Sequence, residues 1–164
     1  MEEKLVEILD IYDINKVKTN KKYIRGSNTL SKEEYVVVVE IAIVNSKQQL
    51  LLSQRSKLKN KNPLKWETTQ GSVKSGEDSI EAAIRELKEE LGLDISKDMF
   101  EYVKTIKDDD EHIFKDIFRI NMDVKINDIS FSDGEVIDVK WVNKDEFNKM
   151  KKDNNLAGNM DFDF

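Results

Sequence analysis

The chain has 164 residues, of which 38% are apolar and 37% are charged, and its net charge is −6. This composition supports one hydrophobic core and excludes a collagen-like or largely disordered chain. The acidic balance argues against nucleic acid, an anionic membrane surface or an anionic substrate as the main partner unless a cation intervenes, and the absence of cysteine excludes disulfides and thiolate chemistry.

β-Strands dominate the predicted elements. Runs of Val, Ile and Leu that are bounded by Asn, Asp, Ser or Gly favour strands. In chain order the strands are predicted at 5–12, near 16–19, and at 35–44, 49–54, 66–73, 100–106, 113–124 and 135–142, with a turn region at 128–134. The first two form an N-terminal β-hairpin at about 5–20, and Gly71 is expected to interrupt the fifth.

Residues 78–91 are the clearest predicted helix. Apolar side chains recur at i, i+3, i+4, i+7 and i+11 from Ile80 onward, which gives one apolar stripe. Asp78 followed by Glu81 fits a capping box, and Gly92 suits the position after the helix.

A second, short helix is predicted to begin at Asn143 or Asp145. Together these elements indicate a single α/β or α+β domain over 1–164, with a mixed β-sheet and a core at about 35–150. The protein is expected to be cytoplasmic, because it lacks the basic start of a signal peptide and its longest apolar stretch, 35–44, is far shorter than the roughly 20 residues that cross a bilayer.

Three carboxylates share one face of the central helix. At about 100° per residue, Glu90 lies about 40° to one side of Glu86 and Glu89 about 60° to the other. The same face carries the small residues Ser79 and Ala82, which we expect to let a ligand approach. A solvated charged face is the usual interpretation of such a cluster, and a site for a hard divalent cation is the alternative.

The surrounding residues decide between these interpretations. Residues 71–93 read GSVKSGEDSIEAAIRELKEELGL. This segment resembles the Nudix box, in which Gly is followed by five residues, Glu, seven residues, and then Arg-Glu-apolar-any-Glu-Glu-any-Gly-apolar. All specified positions match: Gly71, Glu77, Arg85, Glu86, Leu87, Glu89, Glu90, Gly92 and Leu93. A match this complete is specific for the family.

The resemblance implies an α/β/α sandwich and hydrolysis of the diphosphate linkage of a nucleoside diphosphate derivative. It implies that Glu86, Glu89 and Glu90 bind Mg²⁺ or Mn²⁺, and that Arg85 orients them through a salt bridge with Glu77. The alternative for Arg85 is a simple helix-surface pair with Glu81, four residues earlier. With a cation bound, this acidic segment would attract a small phosphorylated substrate instead of repelling it.

Candidate residues outside the glutamate cluster are fewer. The resemblance places a substrate contact or a backbone metal ligand at Gln70 and Gly71, although many family members have Gly-Gly there. Arg55 is a candidate phosphate contact, with a surface salt bridge as the alternative. Glu135 is a candidate base or extra ligand, with a solvated loop residue as the alternative. Glu40 is the only charge in its strand and needs a partner or a wet cleft, so it is a candidate for the floor of the site.

Two other functions stay open. The N-terminal part also resembles the Nudix branch that includes isopentenyl diphosphate isomerase, but the absence of cysteine and the single histidine, His112, disfavour that chemistry. A non-catalytic nucleotide-binding module is disfavoured by the complete box. Substrate specificity is expected in loops such as 56–65 and 107–112. Homodimers are common in the family, but no feature of the sequence establishes one.

Overall fold

A computed structural model describes residues 6–131, 134–158, 160 and 163–164 of the chain. The strands of this described part are β1 (Ile8–Tyr12), β2 (Lys18–Ile24), β3 (Val36–Val44), β4 (Leu50–Arg55), β5 (Trp66–Glu67), β6 (Thr69–Ser72), β7 (Glu101–Asp108), β8 (Ile113–Asn121) and β9 (Val136–Val142). The α-helices are α1 (Ser79–Leu91) and α2 (Lys144–Lys152), and single 3-10 turns lie at Lys97–Met99 and Ile126–Asp128. No helix in these residues is long and apolar enough to cross a membrane.

β3 is the central strand of a mixed sheet. It runs parallel to β8 and antiparallel to β6, and β7 extends the sheet beyond β8. At the C-terminal end of β3, Val44 pairs with Leu50 of β4. β4 in turn lies between β5 and β9. β1 and β2 form a separate antiparallel hairpin.

The alternation of side chains along β3 builds two cores on opposite faces of the sheet. On one face, Val37, Val39, Ile41 and Ile43 pack against the apolar stripe of α1. On the other face, Ala42 and Val44 pack with residues of α2 such as Phe147 and Met150. Helix, sheet and helix therefore form the three layers that the sequence predicts, and the fold class is confirmed.

The two helices follow their local signals. Asp78 is the N-cap of α1, and both hydrogen bonds of the capping box with Glu81 are present. Gly92 ends α1 in the left-handed conformation with a φ of 66°. Asn143 caps α2 by accepting a hydrogen bond from the backbone N–H of Glu146. The predicted helix limits are thus confirmed to within one residue.

Several predicted strand limits are wrong. The return strand of the N-terminal hairpin runs to Ile24 instead of ending near residue 19, and β8 ends at Asn121 instead of residue 124. Gly71 does not interrupt a strand: it lies within β6, opposite Val39, and the break falls at Thr68. The reason is that cross-strand pairing, which is non-local, sets where these strands begin and end.

Asp10 holds the N-terminal hairpin against the loop that begins the Nudix-like segment. Its carboxylate, 3% exposed, accepts hydrogen bonds from the Ser75 hydroxyl (3.0 Å) and the Gly76 backbone N–H (3.2 Å). Lys18 and Lys22 pair with the same carboxylate. Burial alone would raise the pKa of Asp10, but these four partners together hold it well below its usual range.

We expect Asp10→Asn to destabilise the protein by about 2 kcal/mol at neutral pH, because the lysines and the loop lose a charged acceptor. A carboxylate with a lowered pKa stabilises the fold above its unfolded pKa, and this stabilisation is lost as the pH falls through the folded pKa. The difference between the two proteins should therefore narrow below about pH 4. Urea unfolding of both proteins at several pH values measures this difference in the free energy of unfolding. A difference that does not depend on pH would contradict the prediction.

Candidate active site

Two glutamates of α1, Glu86 and Glu90, face a polar cleft of about 420 Å³. The cleft lies where α1, β6, β3, β8 and the ends of β4 and β9 meet. Its lining consists of Glu7, Arg25, Val38, Arg55, Lys59, Glu67, Gln70, Gly71, Ser72, Glu86, Glu90, Glu111, Ile113, Lys115, Glu135 and Val136. Cationic and anionic side chains therefore surround one volume, with few apolar ones among them.

Glu86 and Glu90 form the helical wall of the cleft. One turn of α1 separates them, and each is only 8% exposed. The third carboxylate, Glu89, is half-exposed and does not line the cleft. Two of the three predicted metal ligands are thus brought to the cleft, and the third is turned to the side.

Gly71 makes room for Glu86. A Cβ atom at position 71 would lie 2.0 Å from Glu86 Cδ and 2.1 Å from Glu86 Oε1, which is far inside van der Waals contact. The glycine therefore lets β6 and the Glu86 carboxylate pack at a distance that no other residue permits. Its role differs from the strand interruption that the sequence predicts.

Arg85 connects the glutamates to the preceding loop. Its Nε lies 2.6 Å from Glu77 Oε1, and its Nη1 lies 2.7 Å from Glu86 Oε1 and 3.3 Å from Glu89 Oε2. Its Nη2 donates to the Ser72 carbonyl oxygen at 2.9 Å. The predicted contact with Glu77 is present. The alternative pair with Glu81 is not, because Glu81 serves the capping box.

Burial and charge give these groups different proton affinities. Burial raises the pKa of Glu86, and the neighbouring Arg85 only partly opposes that effect. Burial also acts on Glu77, but the hydrogen bonds from Arg85 and the backbone of Lys74 lower its pKa overall. The hydrogen bond to Glu77 raises the pKa of Arg85, so the guanidinium stays charged. Glu86 is thus a partly desolvated carboxylate whose charge a further cation would stabilise.

The donor atoms suit a hard divalent cation, although they are not assembled into a site. Among the described residues, no three acidic, histidine or cysteine side chains lie close enough to hold a metal ion. Glu86 and Glu90 offer oxygen atoms, and Mg²⁺ and Mn²⁺ prefer oxygen ligands. Arg85 Nη1 instead contacts both Glu86 and Glu89.

Glu40 lies beneath the floor of the cleft. It is fully buried, and its Oε1 accepts a hydrogen bond of 2.8 Å from the Thr68 hydroxyl. Its Oε2 makes an ion pair with Lys115 Nζ at 3.2 Å but accepts no hydrogen bond. Its neighbour on the same strand face, Val38, lines the cleft. The Glu40 carboxylate therefore has the charged partner that the sequence predicts, Lys115. Because Lys115 lines the cleft, Glu40 affects the cleft through this ion pair.

Two further ion pairs line the opposite wall. Arg55 Nη1 lies 2.7 Å from Glu67 Oε1, and Arg55 Nε donates to the Lys61 carbonyl oxygen at 3.1 Å. Lys59 Nζ lies 2.8 Å from Glu135 Oε1. Burial raises the pKa of Glu67, although Arg55 opposes that effect. Arg55 and Glu135 thus reach the cleft as the sequence predicts, each paired with a charge of opposite sign.

The prediction that a ligand can approach α1 at Ser79 and Ala82 is wrong. Ala82 is fully buried in the core, and the Ser79 hydroxyl donates to Asp116 on β8. These small residues therefore serve helix packing, and the ligand-accessible part of the face is limited to the glutamates. The cause is packing against the sheet, because Ala82 belongs to the core cluster and Ser79 is bound to β8.

Sequence reasoning missed several lining residues. Glu7, Arg25, Lys59, Glu67 and Lys115 carry no motif, and topology alone brings them to the cleft. Only Lys115 has a local signal, since it is the one lysine within a strand of largely buried residues. The predicted specificity loops contribute one residue each, Lys59 and Glu111. The predicted substrate contacts Gln70 and Gly71 line the cleft.

Comparison with known proteins agrees with this geometry. The family model described as NUDIX domain matches residues 34–161. An uncharacterized Nudix hydrolase of Listeria innocua is 35% identical over 147 residues, which cover 89% of this chain and 85% of that protein. Both findings include the glutamates of α1.

Solved structures share the fold. The crystal structure of DR0079 from Deinococcus radiodurans has a TM-score of 0.75 at 22% identity and covers 93% of each chain. The NUDIX domain of Shewanella oneidensis NrtR, solved with ADP ribose, has a TM-score of 0.57 at 18% identity and covers 77% of this chain and 82% of that one. Together with the family match and the Listeria relative, the fold leads to one assignment: the chain belongs to the Nudix family and is an enzyme of the pyrophosphohydrolase class.

Proposed function

We propose that the protein is a Mg²⁺- or Mn²⁺-dependent hydrolase that cleaves the diphosphate linkage of a nucleoside diphosphate derivative. The observation that carries this proposal is the pairing, across one cleft, of buried carboxylates with fixed cations. Glu86 and Glu90 lie on one wall, and Arg55, Lys59 and Lys115 lie among the other lining residues. A diphosphate bound between them meets positive charge from the protein and from a cation on the glutamates.

Glu86, Glu89 and Glu90 would hold the cation. Glu89 is half-exposed and bound only at 3.3 Å to Arg85, so its side chain can turn toward the other two with little loss of packing. A divalent cation held there neutralises phosphate oxygens and lowers the pKa of a bound water molecule. The Nudix hydrolases in general use divalent metals, which agrees with an all-oxygen donor set.

The protein's own side chains have three tasks in this proposal. Arg85 keeps Glu86 in place through its links to Glu77 and the Ser72 carbonyl. The cationic side chains across the cleft orient the phosphates, and Gln70 offers a backbone carbonyl beside the glutamates. Glu135 stands at the cleft edge as the candidate base, with its Oε1 2.8 Å from Lys59 Nζ.

A substrate screen tests the proposal. We expect nucleoside monophosphate products from at least one of a panel of nucleoside triphosphates, nucleoside diphosphates and sugar nucleotides with Mg²⁺ or Mn²⁺, and no product when EDTA is present. Products are separated by ion-exchange chromatography and phosphate is counted after coupling to a phosphatase. The ADP ribose in the Shewanella complex makes that compound a useful panel member.

Two outcomes would contradict the proposal. Tight nucleotide binding without turnover under any cation would indicate a binding module. Conversion of isopentenyl diphosphate to its isomer, included in the same panel, would indicate the isomerase chemistry that the residue composition disfavours.

A further inference from the structure

The open end of the N-terminal hairpin reaches the cleft. Glu7 precedes β1 and Arg25 follows β2, and both line the cleft together with Glu86. The hairpin lies outside residues 34–161, the part that matches the family model. It is held there by Asp10 and by the Ser75 backbone N–H, which donates to the Ile8 carbonyl oxygen at 2.8 Å. The hairpin is therefore a fixed part of the cleft wall that the family motif does not describe.

Arg25 presents an incompletely used guanidinium. Its Nη1 lies 2.6 Å from Glu7 Oε2, and its side chain is 62% exposed. Within the described part of the chain, this ion pair with Glu7 is the one side-chain contact of the Arg25 guanidinium. A guanidinium has five N–H donors, so several can reach a ligand in the cleft.

The other arginines near the glutamates are less available. Arg55 uses its fork on Glu67 and the Lys61 carbonyl and is only 19% exposed. Arg85 uses its fork on Glu77, Glu86, Glu89 and Ser72. Of the two arginines that line the cleft, Arg25 thus has fewer contacts among the described residues and is the more exposed to a substrate.

Glu7 lies in the electrostatic neighbourhood of the proposed metal ligands. Burial and other effects raise the pKa of Glu86, and the charge of Glu7 contributes to that rise. An anion that binds beside Glu86 would therefore stand near Arg25 and compete with Glu7 for the guanidinium. Phosphate oxygens match the guanidinium fork better than a single carboxylate contact does.

We propose that Arg25 binds a phosphate group of the substrate and that Glu7 holds the Arg25 side chain in position until substrate arrives. The inference rests on the proposed function, because it takes a phosphorylated substrate as given. It adds that the N-terminal hairpin determines which substrates bind, through a contact outside the Nudix box. Glu7 and the substrate phosphate would exchange as partners of the same guanidinium.

The experiment measures inorganic pyrophosphate binding by calorimetry with Mg²⁺ present, and KM and kcat for a substrate found in the screen. For Arg25→Gln we expect the pyrophosphate Kd and the KM to rise about 10-fold, with kcat within a factor of about three, since one charge-assisted hydrogen-bond contact is lost. Glu7→Gln should lower the pyrophosphate Kd and the KM, because it removes the acceptor that competes with phosphate for the Arg25 guanidinium. Arg25→Lys should restore part of the affinity.

Lys21→Gln is the matched control. Lys21 lies on β2, the strand that Arg25 follows; it is 69% exposed and pairs with Glu34 at 2.9 Å, but it does not line the cleft. The pyrophosphate Kd, the KM and the kcat of Lys21→Gln should equal those of the unaltered protein. An equal loss of pyrophosphate affinity in Lys21→Gln and Arg25→Gln would show a general charge effect. An equal loss of affinity in Glu7→Gln would show that the Glu7–Arg25 ion pair has only a structural role. Either result overturns the inference, as does an unchanged KM in Arg25→Gln.

Failure of the proposed function is distinguishable from failure of this inference. Absence of turnover in the unaltered protein contradicts the proposed hydrolase. Normal turnover with an Arg25→Gln variant that binds pyrophosphate and substrate as tightly as the unaltered protein contradicts only the role of Arg25.

Discussion

Glu90→Gln is expected to lower kcat about 1,000-fold while leaving the fold intact. The side chain is 8% exposed and lines the cleft beside Glu86, so its replacement removes one negative charge from the proposed cation site without changing side-chain size. Metal-assisted charge stabilisation is worth several kcal/mol, and a loss of about 4 kcal/mol corresponds to that factor in rate. Glu86→Gln should have a comparable effect. The measurement is kcat with saturating Mg²⁺ for the substrate that the screen identifies.

Glu81→Gln provides the control on the same helix. Glu81 belongs to the capping box, which accepts either Glu or Gln, and it does not line the cleft. Its kcat should stay within a factor of about two of the unaltered protein. Thermal unfolding should show that all three variants remain folded, and a Mn²⁺ titration should show weaker binding only in the Glu86 and Glu90 variants. A Glu90→Gln protein that keeps a tenth or more of the turnover would contradict the cation site.

The helix that carries the glutamates could be predicted from sequence because its signals are local. The apolar stripe, the capping box at Asp78 and the terminal Gly92 all lie within a few residues of each other. The family motif spans the same segment, so the candidate metal ligands Glu86, Glu89 and Glu90 could be named without a structure. The side chain of Glu89 could not be placed, because it depends on Arg85 and hence on the position of the preceding loop.

Apart from Arg55, Gln70, Gly71 and Glu135, the rest of the cleft could not be predicted, because distant segments build it. Lys115 meets Glu40, Lys59 meets Glu135, and Arg25 meets Glu7 only once the strands have paired. The register of β3 with β8 sets the first contact, that of β4 with β9 the second, and that of β1 with β2 the third, and no local pattern encodes these registers. The fold class followed from the order of the elements, whereas the charges opposite the glutamates required the topology.

Gly71 shows how a motif residue can be recognised and its physical role misjudged. From sequence it is expected to interrupt a strand, and in the structure it lies within β6 under the Glu86 carboxylate. Its φ is outside the left-handed region, so a larger residue meets no backbone strain there. The constraint is the space that Glu86 occupies.

Gly71→Ala is therefore expected to reduce activity more than stability. The added Cβ would overlap Glu86 Cδ, Oε1 and Cγ at 2.0, 2.1 and 2.4 Å, so the Glu86 carboxylate has to leave its position. We expect kcat to fall about 100-fold, since catalysis depends steeply on the placement of such groups. The free energy of unfolding should change by about 1 kcal/mol or less, because alanine reduces the entropy of the unfolded chain and offsets part of the lost packing.

Gly158→Ala should show the opposite pattern and serves as the comparison. Gly158 has a φ of 70° and open space around its Cα, so alanine is strained there without touching a neighbour. It should lose about 1 kcal/mol of stability and retain its kcat. Urea unfolding and steady-state kinetics on both variants separate the two effects. If Gly71→Ala kept full turnover, the observed position of Glu86 would not be the one that catalysis needs, and the cation site would have to be built around Glu89 and Glu90 instead.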